Sequence, residues 1–198
     1  MDKKEAMTKE KLGKLYPIEI KKYNPEWKNY FKKEKCLLQQ LFSEELLIEH
    51  IGSTAIIGLS AKPTIDVLMQ QPSNLTDIEI IAKFENNNYI HMKEQKNHLM
   101  FVKGYTPSGL EEISYHIHMG NLDHNWLWDR IYFRDYLNLN KDIQVKYEIL
   151  KRVLAEEYKN DREAYTNAKA HFITETTIKA VNYFKYYNIK RGGDNEKD

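Results

Sequence analysis

Two short apolar runs, separated by a small-residue turn and a loop, dominate the middle of this sequence. The first run, residues 46–48, begins a segment that ends at residue 51, and the second lies within residues 64–69, after Pro63. Each segment has the length and apolar composition of a buried β-strand. Gly52, which directly follows the first segment, lets the chain turn sharply because it has no Cβ atom. The pattern predicts two strands joined by a turn and a loop.

Asp66 is a carboxylate embedded in the second apolar run. Burial of a carboxylate away from water costs free energy unless a partner compensates for it. Asp66 is therefore either a metal ligand or general base of a functional site, or a structural acid paired, for example, with Lys62. Acids are uncommon in apolar strands, which favours the functional interpretation.

The turn after the first run has the residue types of a phosphate-binding loop. Gly52 permits a close backbone approach, and the amides of a following helix would hold an anion. Ser53 and Thr54 add hydroxyl donors, and Lys62 at the end of the loop adds a positive charge. The alternative is an ordinary helix N-cap formed by Ser53 or Thr54. The spacing alone favours the cap, because Gly-Ser pairs are common in turns.

A histidine pair lies in the last predicted strand, residues 112–119. Alternation along a strand places His116 and His118 on one face and the apolar side chains on the other. Two imidazoles at this spacing lie close enough to bind one cation, together with the acid of the second apolar run. The alternative is two half-exposed histidines on an amphipathic strand. His50 and His98 are weaker candidates.

Helices and strands are mixed up to residue 120, after which only helices are predicted. The further predicted strands cover residues 18–20, 89–92, 98–103 and 112–119. The predicted helices cover residues 27–42, 77–86, 126–137, 143–158 and 163–187. Because strands are concentrated in the first part of the chain, the pattern predicts an α+β fold.

The chain has 198 residues, a length that suits one domain. We expect a core over residues 15–120, a helical part over residues 121–190, and polar tails at residues 1–14 and 191–198. Most Lys and Arg side chains of the helical part are expected on solvated faces. Tyr165 and Lys169 share one helix face and would clamp a nucleotide if that face met the Gly-Ser turn, a placement that the sequence leaves open.

The composition argues against several classes of protein. The 30 Lys and Arg residues nearly balance the 29 Asp and Glu residues, so no overall charge indicates binding to nucleic acid or an anionic membrane. No apolar run reaches membrane-spanning length, and the N-terminus has no apolar signal region. Cys36, the single cysteine, excludes an internal disulfide. We therefore expect a cytoplasmic protein, whose oligomeric state the sequence leaves open.

Several motifs, in order along the chain, resemble those of the GrpB family of bacterial proteins. Residues 23–27 resemble the family's opening Tyr-Asp-Pro-x-Trp segment, and residues 49–67 resemble its central signature. In residues 115–118, Tyr115 replaces the first histidine of the family's His-His-x-His strand. The further matching segments are residues 133–137, 147–154 and 161–173. The resemblance covers residues 17 to about 180.

This resemblance implies a nucleotidyltransferase-like fold, which is a mixed β-sheet flanked by helices. In active members of that superfamily a Gly-Ser turn binds the nucleotide phosphates, and three acids on two strands hold Mg²⁺. Asp66 matches one of these acids. Thr64 and Leu68 stand at the two positions where a second acid would lie, and His116 and His118 replace the third.

The resemblance therefore implies a divergent nucleotidyltransferase that uses a divalent metal and an unknown acceptor. The residues expected to bind the nucleotide are Gly52, Ser53, Thr54 and Lys62. The residues expected to bind the metal and to act in catalysis are Asp66, His116 and His118. Mg²⁺ or Mn²⁺ is expected, and the imidazoles also suit Zn²⁺ or Ni²⁺. The missing second acid leaves two alternatives open: a non-catalytic nucleotide- or metal-binding module on the same fold, and a scaffold without a ligand.

Overall fold

The structure, a computed structural model, describes residues 9–93, 95 and 97–186. Its strands are β1 (Ile48–Ile51), β2 (Thr64–Gln70), β3 (Ile90–His91), β4 (Leu99–Thr106) and β5 (Gly109–Gly120). They form one sheet in the order β1-β2-β5-β4-β3. Strands β2 and β5 run parallel, and the other neighbouring strands are antiparallel, so the sheet is mixed.

Helices flank this sheet and make up most of the chain after β5. The helices are α1 (Lys9–Leu15), α2 (Glu26–Gln40), α3 (Asp77–Glu85), α4 (Asn125–Trp128), α5 (Arg130–Leu139), α6 (Lys141–Glu157), α7 (Arg162–Ala168) and α8 (Ala170–Tyr186). A mixed sheet followed by helices confirms the α+β class and the helical C-terminal part. None of the described helices combines the length and apolar character needed to cross a membrane.

Three of the predicted elements differ from the structure. The strand expected at residues 18–20 is wrong, because the Ile18 amide bonds to the Lys159 carbonyl and only Lys21 forms an isolated bridge, with Ala61. The helix expected at residues 126–137 is divided into α4 and α5, and that expected at 163–187 into α7 and α8. Of the expected tails, residues 1–8 and 191–198 lie outside the described residues.

One face of the sheet packs against helices α2 and α3 and forms the main core. Its strand residues include Ile65 and Val67 of β2 and Ile117 and Met119 of β5, all fully buried. The helices contribute apolar side chains such as Trp27, Leu38, Ile80 and Phe84. We call this face the packed face.

The opposite face carries Asp66, His116 and His118, as the alternation along the strands predicts. Part of it is covered by α4 and α5, since Leu68 packs with Leu127, Trp128 and Ile131. We call this face the site face, because the candidate site lies on it.

The C-terminal helices also hold the loop that follows the Gly-Ser turn. Ile56 and Leu59 of the loop are fully buried against Phe133, Leu137 and Tyr147. This packing fixes α5 and α6 beside the turn. A cavity remains between these helices and the site face.

Candidate active site

The cavity has a volume of about 450 Å³ and brings together residues that are distant in sequence. From the sheet, the turn and the loop come Gly52, Ser53, Lys62, Asp66, His116 and His118. From the helical part come Arg130, Tyr147, Lys151 and Tyr165, together with Lys169 in the turn between α7 and α8. Every predicted site residue except Thr54 therefore lines this cavity.

Asp66 and the histidine pair form a compact cluster, which we call the metal-ligand cluster. The parallel register of β2 and β5 places Asp66 beside His116. The candidate ligand atoms of Asp66, His116 and His118 all lie within 4.8 Å of one another. His116 Nδ1 lies 3.4 Å from Asp66 Oδ1. One carboxylate and two imidazoles at these distances would suit a single transition-metal ion.

Gly52 is required by its own backbone and by the position of Asp66. Its φ angle of 71° lies in the left-handed region that side chains with a Cβ disfavour. A Cβ atom at this position would also lie 2.2 Å from Asp66 Oδ2. The turn and the carboxylate can approach each other this closely only because residue 52 is glycine.

The residues after Gly52 form a single 3₁₀ turn, Ser53–Ala55, so the helix start that would bind an anion is not formed. The expected N-cap is absent as well, because no side chain caps this turn. Thr54 is buried, donates its hydroxyl to the Thr64 carbonyl at 3.0 Å and contacts His50 Nε2 at 3.0 Å. It braces the turn from behind and does not line the cavity.

The Asp66 carboxylate is held in its ionised form. Burial raises the pKa of Asp66, but the hydrogen bond with His116 and the positive surroundings outweigh burial and bring the pKa to about 2. His116 is oriented from its other side, where Nε2 lies 2.8 Å from the Tyr105 hydroxyl. Arg162 in turn donates to that hydroxyl at 2.8 Å.

His118 is oriented by a second histidine. His118 Nδ1 lies 2.9 Å from His98 Nε2, and His98 Nδ1 lies 3.1 Å from Gln95 Nε2. Burial lowers the pKa of His118 well below its ordinary value, and the Arg130 charge lowers it further. A neutral imidazole whose Nδ1 is engaged has its Nε2 left to bind a cation. His98, which the sequence ranks as a weaker candidate, therefore belongs to the site.

Four cationic side chains, which we call the cation group, surround this cluster: Lys62, Arg130, Lys151 and Lys169. Lys62 and Lys169 lie over the Tyr165 ring, 5.3 and 4.3 Å from its centroid. Within the described part of the chain, no carboxylate lies within 4.0 Å of the charged nitrogens of the cation group.

The charges of the cation group are costly in the unliganded protein. Burial lowers the pKa of Lys62 well below its ordinary value, and Arg162 and Lys169 lower it further. Burial likewise lowers the pKa of Lys169 to about 8 and that of Lys151 to about 7. An anion bound among these side chains would compensate for this cost.

Lys151 and Arg130 were missed by the sequence analysis. Lys151 is 2% exposed and donates to the Ser60 carbonyl. Its spacing from Tyr147 and Leu154, four and three residues, places it on the buried stripe of α6, and this spacing was the available signal. Arg130 follows the break between α4 and α5, which no sequence pattern indicates.

Asp66 is the one carboxylate that lines this cavity among the described residues. Thr64, at one position expected for a second acid, bonds to Ser114 at 2.9 Å, and Leu68, at the other, is fully buried. Glu111 and Glu112 are exposed and do not line this cavity.

Comparisons with known proteins agree on one family. The sequence profile described as "GrpB protein" matches residues 17–179. "Glutamate-rich protein GrpB" of Alkalihalophilus pseudofirmus is 37% identical over 161 residues, which are 77% of this chain and 90% of that protein. The crystal structure of conserved protein GrpB from Enterococcus faecalis superposes with a TM-score of 0.73 and 29% identity, covering 85% of this chain and 99% of that chain.

A more distant structural neighbour is the Cid1 poly(U) polymerase. It is 13% identical, with a TM-score of 0.49 over 69% of this chain and 44% of that chain, so the likeness is remote. The family profile covers more than half of the chain, and the GrpB protein of A. pseudofirmus supports it at 37% identity. The chain therefore belongs to the GrpB family.

Proposed function

We propose that this GrpB family protein binds a nucleoside triphosphate with a divalent metal ion and transfers the nucleotidyl group to an acceptor. The observation that supports the proposal is the meeting of the metal-ligand cluster and the cation group in one cavity. The first supplies donors for a metal ion, and the second supplies positive charge for a polyphosphate chain.

The polyphosphate is the part of the ligand that the cavity matches best. Lys62, Lys169 and Arg130 face the cavity without carboxylates at ion-pair distance in the described part of the chain. Several phosphate charges would restore the balance that Asp66 alone does not provide. The proposed phosphate-binding residues are therefore Gly52, Ser53 and Lys62, joined by Arg130, Lys151 and Lys169, while Thr54 acts by bracing the turn.

The donor set favours Mn²⁺, Zn²⁺ or Ni²⁺ over Mg²⁺, because two of the three donors are imidazole nitrogens. Asp66, His116 and His118 would hold the ion, and the other nitrogen of each imidazole is already engaged, by Tyr105 and His98. When bound, such an ion would stabilise negative charge on the reacting phosphate. With a pKa of about 2, Asp66 is a weak base, which favours the ligand role for it.

In the proposed transfer, an acceptor oxygen forms a bond to the α-phosphorus of the nucleotide. The bond from that phosphorus to the pyrophosphate oxygen breaks, and its electron pair leaves with pyrophosphate. The acceptor proton passes to solvent. The cation group would stabilise the charge that develops on the leaving pyrophosphate.

A non-catalytic binding module is the second candidate. It is favoured by the single carboxylate in the cavity, where active members of the superfamily hold metal with three acids. Under this alternative the protein binds nucleotide and metal but releases no pyrophosphate.

Calorimetric titration of the full chain with ATP, GTP, CTP and UTP, each with Mn²⁺ and with Mg²⁺, tests the binding. We expect saturable binding that is tighter with Mn²⁺, and at least tenfold weaker binding for Asp66→Asn and Lys169→Met. Lys179→Met is the matched control, because Lys179 is an exposed lysine of α8. Absence of binding with every nucleotide would contradict the proposal. Nucleotide binding without release of pyrophosphate in the presence of any tested alcohol would select the second candidate.

A further inference from the structure

A second cavity, of about 510 Å³, adjoins the first one on the site face. The two cavities share Lys62, Met100, His116 and Thr166. These four side chains form the boundary between them. A molecule in the second cavity would therefore meet a nucleotide in the first one at His116, which belongs to the metal-ligand cluster.

The two cavities differ in chemistry. The sheet side of the second cavity is apolar and is formed by Ile90, Met92, Met100 and Val102. Val102 lies opposite His116 in the sheet and is 5% exposed, whereas Ile90 on the edge strand β3 is 50% exposed. The cation group of the first cavity has no counterpart on this wall.

Apart from Lys62 at the boundary, two charged side chains around the second cavity, Arg162 and Asp161, have partners already. Arg162 donates to the Tyr16 carbonyl at 3.2 Å and to the Tyr105 hydroxyl at 2.8 Å. Asp161 accepts from the Ala164 amide at 3.0 Å. A charged ligand group placed here would compete with these bonds, whereas a neutral one would not.

We propose that the second cavity binds the acceptor, and that the acceptor is a small neutral molecule with an apolar body and a hydroxyl group. The apolar body would cover Ile90, Met92 and Val102, since burial of apolar surface is favourable. The hydroxyl would lie at the boundary, where the side chains of Lys62 and Thr166 offer hydrogen-bonding groups. This inference rests on the proposed function, because an acceptor needs a nucleotide to react with.

In the transfer the acceptor oxygen would enter from the side of His116. That oxygen becomes bonded to the α-phosphorus as the bond from the α-phosphorus to the pyrophosphate oxygen breaks. Pyrophosphate takes the bonding electron pair, and the hydroxyl proton passes to solvent. No oxidant or further reactant is needed.

The probe for this cavity is 2-naphthol, an apolar alcohol whose fluorescence reports its surroundings. The full chain should bind 2-naphthol saturably, with and without ATP and Mn²⁺, and glucose should not displace it. Ile90→Glu at the exposed edge of the cavity should weaken 2-naphthol binding at least tenfold. Val102→Gln, which changes a buried wall residue, should weaken it by a similar factor. ATP binding with Mn²⁺ should stay within twofold of the unmodified protein in both variants. Ile78→Glu is the matched control, because Ile78 is 80% exposed and lies on α3, the helix on the other side of the sheet from the cavity.

The outcomes separate this inference from the proposed function. ATP binding without 2-naphthol binding, displacement of 2-naphthol by ATP, or equal 2-naphthol binding by Ile90→Glu would overturn the acceptor site alone. Failure of the unmodified protein to bind ATP, GTP, CTP or UTP would overturn the proposed function and the acceptor role with it. Because Ile90 is half exposed, Ile90→Glu is expected to fold. It therefore keeps the test valid even if Val102→Gln fails to fold.

Discussion

Two charged clusters lie on opposite faces of the same sheet and are built in opposite ways. On the packed face, the buried Glu34 carboxylate accepts from Lys103 Nζ at 2.6 and 2.7 Å and from the Tyr89 hydroxyl at 2.6 Å. On the site face, Asp66 contacts His116 across 3.4 Å, and the cation group around it has no carboxylate at ion-pair distance among the described residues.

The two clusters differ in whether folding alone balances their charges. Around Glu34, one negative charge meets one positive charge and one hydroxyl, so folding alone satisfies the group. Around Asp66, positive charges outnumber negative ones, so folding alone leaves the charges unbalanced. We infer that the packed-face cluster contributes to stability and that the site-face cluster contributes to binding.

The largest effect is expected when the packed-face pair is broken. Lys103→Met would leave the Glu34 carboxylate buried without its cation and should lower the free energy of unfolding by about 3–5 kcal/mol. Urea denaturation measures this loss, with Lys32→Met on the exposed side of α2 as the control. A loss below about 1 kcal/mol, the range of surface ion pairs, would refute the structural role of this pair.

The next largest effect is expected at the turn. Gly52→Ala should lower the free energy of unfolding by about 3 kcal/mol, because it combines a positive φ with a clash against Asp66. Gly58→Ala is the matched control, since Gly58 has a φ of 82° but an open Cβ position 3.7 Å from Gln144 Nε2. Its cost should be about 1 kcal/mol.

The double variant Gly52→Ala, Asp66→Ala measures the part of this cost that comes from Asp66. It should regain about 1 kcal/mol relative to Gly52→Ala, because the clash with Asp66 Oδ2 is removed, while the contact at 2.8 Å with the Cβ of residue 66 and the backbone strain stay. Equal stability of the single and double variants, measured by urea denaturation, would show that Gly52 and Asp66 are not in contact.

A moderate effect is expected in the pH dependence of stability. The pKa of Lys151 is about 7 in the folded protein against an ordinary value of 10.5, so the unfolded chain binds more protons between these values. Stability from this group therefore rises as the pH increases through that window and is lowest below pH 7. Urea denaturation at pH 7 and pH 9 should show a rise that is smaller by about 2 kcal/mol in Lys151→Met. An identical rise in both proteins would exclude a buried, charged Lys151.

The smallest stability effect is expected for the cation group facing the cavity. Lys169→Met removes a positive charge that burial disfavours and should raise the free energy of unfolding by about 1 kcal/mol. The same variant should bind ATP at least tenfold more weakly, so stability and binding change in opposite directions. Parallel losses of stability and binding would place Lys169 among the structural residues.

The sequence predicts the sheet part of the site better than its helical part. Asp66, His116 and His118 meet because alternation fixes their face and neighbouring strands bring them together. Alternation along a strand is a local property, so one sequence is enough to predict which side chains share the site face. The strand predicted at residues 18–20 is wrong, because alternation over three residues does not show whether a neighbouring strand is there to pair with them. In the structure the Ile18 amide donates to the Lys159 carbonyl instead.

The helical part depends on packing over long distances. Tyr165 and Lys169 share a helix face by their spacing, but only the packing of α7 and α8 turns that face toward the cavity. The helix ends at Trp128 and Ala168 set the directions of α5 and α8. The residues that follow them, Asp129 and Lys169, are not of the types, glycine and proline, that signal a helix end in a sequence. Lys151 is the exception, because its spacing from Tyr147 gave a usable signal.

Ligand-induced stabilisation tests most directly whether the site-face cluster awaits a polyphosphate and a metal. The thermal unfolding midpoint is measured with and without ATP and Mn²⁺ for the unmodified chain, Asp66→Asn, Lys169→Met and Lys179→Met. We expect an increase of several degrees for the unmodified chain and Lys179→Met, because a ligand that binds only the folded state stabilises it, and little or no increase for the other two. An unchanged midpoint of the unmodified chain with ATP and, in repeats, with GTP, CTP and UTP, or equal increases in all four proteins, would contradict the binding of a polyphosphate and a metal ion at the site-face cluster.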